Sequence, residues 1–245
     1  MDGKEQQADL RWFNEDWGGL LEHLFCASVL GKENIPKSGP FLVAITHDLR
    51  ERTLGKFSFP KPPLDVIFVS RLIEEATGQN IRWMVADFHS VALGLPLPAR
   101  QIAAEAWRVG TKRYGGIPVP LDKREMLGRG KAAMKAIDLL TINEIIGVAL
   151  SLGKKLSIET IEKGAAYIAL GTSKRTGEPT KILPIQLKGF EDPVRVLLNR
   201  HSPVKVKIFK PILASFDLTR DSEEQIGIIT ARLLSLLSGS IPDIS

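Results

Sequence analysis

The run Phe41-Leu-Val-Ala-Ile-Thr-His47 limits the fold more than any other part of this 245-residue chain. Five apolar residues lead into a polar pair, the pattern of a buried strand that carries an imidazole to its carboxyl end. Strands of this kind belong to open α/β sheets, in which ligand and catalytic groups gather at the carboxyl ends. The preceding segment, Gly31 to Pro40, is rich in turn residues and fits a strand that starts at about Phe41. A lone histidine at a strand end is an ordinary feature, so His47 needs further residues around it before chemistry can be assigned to it.

A hydrophobic content of 44% excludes general disorder. The length suits one large α/β domain over residues 31–245 preceded by an amphipathic helical segment over residues 1–30. The net charge of +5 and the pI near 9.3 fit anionic partners, meaning lipid headgroups, phosphorylated substrates or nucleic acid. Nucleic acid is set aside, because no Lys/Arg block is interleaved with aromatics and no zinc-ligand spacing or RNA-binding signature occurs. The single cysteine, Cys26, allows no internal disulfide and suits a reducing, cytoplasmic compartment; it lies on an apolar helical stretch as packing. No apolar run reaches the roughly 18 residues of a spanning helix, and the polar, acidic N-terminus does not read as a signal peptide. Any contact with a membrane is therefore expected to be peripheral.

Along the chain, Leu10, Phe13, Trp17, Leu20, Leu21, Leu24, Phe25 and Ser28 recur at helical spacing over residues 9–30, interrupted by Gly18-Gly19. Trp12, Phe13 and Trp17 on that stripe suit either an interfacial anchor at headgroup level or packing on the domain. Residues 48–63 read as a long charged, Pro-rich loop. Pro63-Leu-Asp65 starts a helix that stops at Gly78, and Ile81 to Ala86 is a short strand. A helix is expected over residues 99–114, with Ile102, Ala103, Ala106, Trp107 and Val109 on its apolar face. Residues 124–153 read as helical throughout, and Ser157 to Glu162 as a short helix stopped at Gly164. Strands over Ile182 to Leu187 and from Val204 follow, and a last helix over about Ser222 to Ser238 carries Ile226, Ile229, Leu233, Leu236 and Leu237.

These segments, in this order, resemble the catalytic domain of the 1-acylglycerol-3-phosphate acyltransferase family (phospholipid/glycerol acyltransferases). Gly31-Lys-Glu-Asn-Ile-Pro36, Gly39-Pro40 and Ala44-Ile-Thr-His47 are similar to its "gly-x-glu-asn-ile-pro … gly-pro … ala-x-asn-his". The family's Asp five residues after the His is Arg52 here, and Pro63-Leu-Asp65 resembles the displaced "leu-asp-val" segment. Gly115-Gly-Ile-Pro-Val119 resembles the second motif, but Pro120 and Leu121 stand where it has Asp-Arg; Asp122-Lys123 or Arg124 would supply the charge after an insertion. Ala165 to Glu178 resembles the third motif, "phe-pro-glu-gly-thr-arg-ser", through Gly171, Thr172 and Arg175-Thr-Gly-Glu178. Its Pro, Glu and Arg fall on Ala169, Leu170 and Ser173. Ile182 to Leu187, with Pro184, resembles "val-pro-val-x-ile", and Val204 to Ile212 resembles "val-x-phe-gly-x-pro-ile". The resemblance spans roughly residues 29–238 and implies a mixed, largely parallel central sheet flanked by helices.

It also implies transfer of an acyl group from acyl-CoA or acyl carrier protein to a lysophospholipid or glycerophosphate hydroxyl, a step in phospholipid biosynthesis at the membrane surface. No metal or nucleotide cofactor is implied. Such a transfer needs a base on the hydroxyl, a carboxylate orienting the base, and cations on the phosphate. By resemblance His47 is the base and Asp65 the carboxylate. Arg113 or Lys123, with Gly171, Thr172, Lys174 and Arg175, would bind the substrate. The departures from the motifs leave a second expectation: a catalytically silent protein on the same fold that binds lipid or a protein partner.

Overall fold

The computed structural model describes residues 27–47, 64–86, 101, 105, 111, 115–120, 126–151, 158–190 and 204–238. The described strands are β1 (Ala27–Leu30), β2 (Phe41–His47), β3 (Ile81–Ala86), β4 (Ile117–Val119), β5 (Ile145–Ser151), β6 (Thr180–Lys188), β7 (Val204–Ile208) and β8 (Ile212–Ala214). The helices are α1 (Leu64–Thr77), α2 (Met126–Thr141), α3 (Ile158–Thr176) and α4 (Ser222–Leu237). All eight strands join one sheet in the order β1-β7-β6-β2-β5-β3-β4, with β8 also on β6. Among the described strands, only the pairings of β6 with β7 and with β8 are antiparallel. This is the mixed, largely parallel sheet with flanking helices that the resemblance implies.

Strand β2 is its centre, paired in parallel with β5 on one side and β6 on the other. Phe41, Leu42, Val43, Ala44 and Ile45 are each 0% exposed. A strand covered on both faces and both edges has no place for a polar side chain, which is why this run is unbroken. Its side chains alternate: Phe41, Val43 and Ile45 join Val69, Leu72 and Ile73 of α1, while Leu42 and Ala44 face the layer of α2, α3 and α4. The chain travels from β2 past β5 to β3 with α1 on one face. It returns from β4 to β5 and then to β6, beyond β2, with α2 and α3 on the other. Opposite directions on opposite faces give the crossovers one hand, as twisted parallel strands require.

Three elements differ from the sequence reading. Residues 124–153 are not one helical region: α2 ends at Thr141 and β5 follows. The stop is a Schellman arrangement, with Asn143 at φ 71° and N–H bonds from Asn143 to the Leu140 carbonyl and from Glu144 to the Leu139 carbonyl. Conversely, α3 runs through Gly164 to Thr176 as one helix. A Cβ at Gly164 would meet nothing within 4 Å, so the glycine weakens the helix by about 1 kcal/mol without ending it. Ser28 lies in β1, in register with Lys205 of β7, so the last residues of the expected N-terminal helical segment belong to the sheet. Residues 1–26 and most of the expected helix over 99–114 lie outside the described residues, although Gln101, Glu105 and Thr111 are helical.

The segments resembling the first and last family motifs meet in space. Pro184 has no N–H and interrupts the antiparallel ladder of β6. Ile182 pairs with Ile212 and Ile185 with Ile208, so the facing chain carries one extra residue, a bulge between β7 and β8. Asn34 Nδ2 donates to the Ile208 carbonyl at 2.9 Å, beside this bulge. Gly31 packs there too, with φ 80°, and a Cβ on it would lie 2.2 Å from the Ile208 oxygen. Both the backbone conformation and the space demand glycine. Gly31→Ala is expected to lower unfolding free energy by more than about 2 kcal/mol in urea titration, from left-handed strain plus backbone displacement. A loss under about 0.5 kcal/mol would contradict this account of the motif.

Candidate active site

The parallel register defines two ends of the sheet. At the amino edge Phe41 is level with Ile145 and Lys181; at the carboxyl edge His47 is level with Ser151. Seven residues of strand separate the edges by about 20 Å. His47 closes β2 at the carboxyl edge, as the sequence implies.

Asp65 comes to that same edge by a different route. Helix α1 ends at Gly78, where the chain turns into β3, and Ile81 is level with Ile145 at the amino edge. Its 14 residues rise about 21 Å, so its first turn returns to the carboxyl edge. Trp83 fixes its height. The indole lies against Gly147 of β5, where a Cβ would come within 2.4 Å, and its Nε1 donates to Ser70 Oγ of α1 at 2.8 Å. Asp65 is 6% exposed, and its Oδ1 accepts from the Val66 N–H at 2.9 Å. It lies in the first turn of the helix. The structure thus brings the termini bearing His47 and Asp65 to one edge. The His47 side chain itself is not among the described parts of the structure.

The same edge holds a cation that the sequence reading passed over. Val119 of β4 is level with Ala86, the last residue of β3. Arg129, in the first turns of α2, donates from Nε to the Pro120 carbonyl at 2.9 Å. Gly128 allows the approach, since a Cβ there would sit 2.7 Å from Pro120 Cγ. Helix α2 therefore starts against the end of the Gly115-Gly-Ile-Pro-Val119 segment. It brings a guanidinium to the place where the family's Asp-Arg is replaced by Pro120 and Leu121. Arg129 lies nine residues beyond Pro120 in sequence, so motif spacing does not reveal it. The start of a helix beside the strand end was the available signal.

The four residues taken from the resemblance to the third motif lie elsewhere in the fold. Gly171, Thr172, Lys174 and Arg175 are all on α3, not on a loop at a strand end. Gly171 lets α2 approach, with Ile137 Cδ1 2.6 Å from where its Cβ would be. Thr172 is 2% exposed and donates to the Ile168 carbonyl at 2.9 Å. Arg175 pairs with Asp138 of α2, and Lys174 Nζ lies 4.9 Å from the Phe216 ring centroid. Helix α3 leads through Gly177 into the start of β6, so Lys174 and Arg175 sit at the amino edge, the far end of the sheet from His47. The composition of the segment imitates the motif, while its geometry serves helix packing. Arg113 and Lys123 lie outside the described residues. Lys174→Ala and Arg175→Ala should each change stability by less than about 1 kcal/mol in urea titration, since both side chains are solvent-exposed. A loss above about 2 kcal/mol would contradict this account of α3 packing.

No family model matches the sequence, and no curated protein matches it. Among solved structures, the 1-acyl-sn-glycerophosphate (LPA) acyltransferase PlsC from Thermotoga maritima is similar over 98% of this chain and 85% of its own, with a TM-score of 0.50 and 17% sequence identity. At that identity the likeness is one of fold. The chain carries the α/β acyltransferase fold that its motifs resemble.

Proposed function

We propose that this protein is a divergent lipid acyltransferase, moving an acyl group from an acyl-CoA or acyl carrier protein thioester to the hydroxyl of a lysophospholipid or glycerophosphate. The observation that carries the reading is the convergence of His47 and Asp65 on the carboxyl edge from separate elements, β2 and α1. In this reading His47 takes the proton from the acceptor hydroxyl as the oxygen attacks the thioester carbon. Asp65 holds the imidazole tautomer and stabilises the imidazolium. The thiolate then leaves and takes up the proton, so ester and free thiol are the products. Arg129 faces the acceptor phosphate across the sheet edge, where a guanidinium can grip two phosphate oxygens at once.

The acceptor is amphipathic, so the reading includes a membrane surface. Support comes from α2, on whose outer side Leu127 is 85% and Met134 46% exposed, with exposed Lys131 and Lys135 between and beside them. Apolar side chains among lysines suit an anionic bilayer. No helix among the described residues is long and apolar enough to cross a membrane. Leu127→Glu with Met134→Glu should reduce co-sedimentation with phosphatidylglycerol vesicles at least about threefold without lowering the melting temperature. Unchanged co-sedimentation would remove α2 from the membrane surface.

The catalytic reading is tested by acyl-CoA turnover with lysophosphatidic acid as acceptor. His47→Ala should reduce kcat/KM by at least about 100-fold in a folded protein, and Asp65→Asn by a comparably large factor through the wrong tautomer. Activity of His47→Ala within about threefold of wild type, under 1 kcal/mol of barrier, would remove His47 from the mechanism. Absence of turnover in the wild-type protein, with lysophosphatidic acid still bound, would favour the silent, lipid-binding alternative.

A further inference from the structure

At the carboxyl edge β2 and β6 part company. Their ladder stops at Ile45 and Ile185, whereas β2 continues on β5 as far as His47 and Ser151. Beyond Ile185, β6 keeps its pairing with β7 out to Lys188 and Lys205. The parting makes a fork between two strands that pair elsewhere, one residue before Thr46.

Thr46 spans this fork. Its Oγ1 accepts from the Leu187 N–H at 2.8 Å and lies 3.4 Å from the Leu187 carbonyl, to which it donates. Had the ladder continued, the backbone of β2 would have met both of these groups; a side-chain hydroxyl meets them instead. The residue is 8% exposed, so the exchange takes place largely away from water, where an unpaired N–H costs about 1 to 3 kcal/mol. A hydroxyl has the donor and the acceptor this needs on one atom. The link holds the main chain of β2 at a fixed separation from β6 one residue before His47.

We propose that Thr46 is a positioning residue for His47: its hydroxyl sets the width of the β2–β6 fork and thereby places the histidine relative to Asp65 and the acceptor hydroxyl. The proposal rests on the acyltransferase reading for its kinetic consequence but not for its structural one, so the experiment has an arm for each. Thr46→Val keeps the shape and removes the hydroxyl, Thr46→Ser keeps the hydroxyl, and Thr46→Ala makes the same comparison as valine should the valine variant not fold. In the valine variant kcat should fall about tenfold with KM within about twofold, because the substrate still binds but the base is misplaced. The serine variant should recover most of the loss. Independently of turnover, the NMR pH titration of the His47 imidazole should move in the valine variant and return in the serine variant. An unchanged His47 titration and kcat, with only the melting temperature lowered, would overturn the proposal and leave Thr46 a fold-stabilising residue. A moved titration in a protein with no turnover would sustain the positioning role and count against the acyltransferase reading alone.

Discussion

The structure depends on one requirement, that β2 be buried on every side. With β5 and β6 on its edges, and α1 and the α2–α4 layer on its faces, every backbone group along Phe41 to Ile45 is matched by neighbouring strands. A central strand of this sort pairs its N–H and C=O groups before anything else can be placed, because unpaired groups at 0% exposure are too costly to keep. Polarity can return only where the sheet ends. It does so at Thr46 and His47, so the strand that anchors the core also ends in the polar pair on which the proposed chemistry rests.

Positioning at this edge is achieved at a distance. Asp65 reaches it because α1 is about as long as β2, and α1 is held in height by the Trp83 indole against Gly147 and Ser70. Arg129 reaches it because α2 begins against Pro120. Gly31 and Asn34, which join the Gly-Lys-Glu-Asn segment to the bulge opposite Pro184, stabilise the turn from which β2 sets out. None of these residues would stand out as functional from its type alone. Each matters because a packed interior turns a contact in one layer into a fixed position in another.

The sequence made β2, α1, β3, β6, β7 and α4 legible, because each combines a clear hydrophobic pattern with punctuation by Gly or Pro, or with an acidic start. It concealed β5, since Ile145 to Ser151 is a short apolar run in which a buried parallel strand and a helix look alike. The boundary was marked by Asn143, whose left-handed conformation does the work usually given to glycine. That lost strand had a consequence for the site. With β5 read as helix, the segment resembling the third motif falls on α3, which carries Gly171, Thr172, Lys174 and Arg175. Position along the sheet, and not residue type, separates them from His47.

In the proposed mechanism the acceptor lies at the carboxyl edge, and a crystal structure of the protein with lysophosphatidic acid tests that placement most directly. The result expected is a phosphate within hydrogen-bond distance of the Arg129 guanidinium and the free hydroxyl facing His47, beside the fork held by Thr46. A phosphate bound instead by Lys174 and Arg175 at the amino edge, with the carboxyl edge empty, would contradict it.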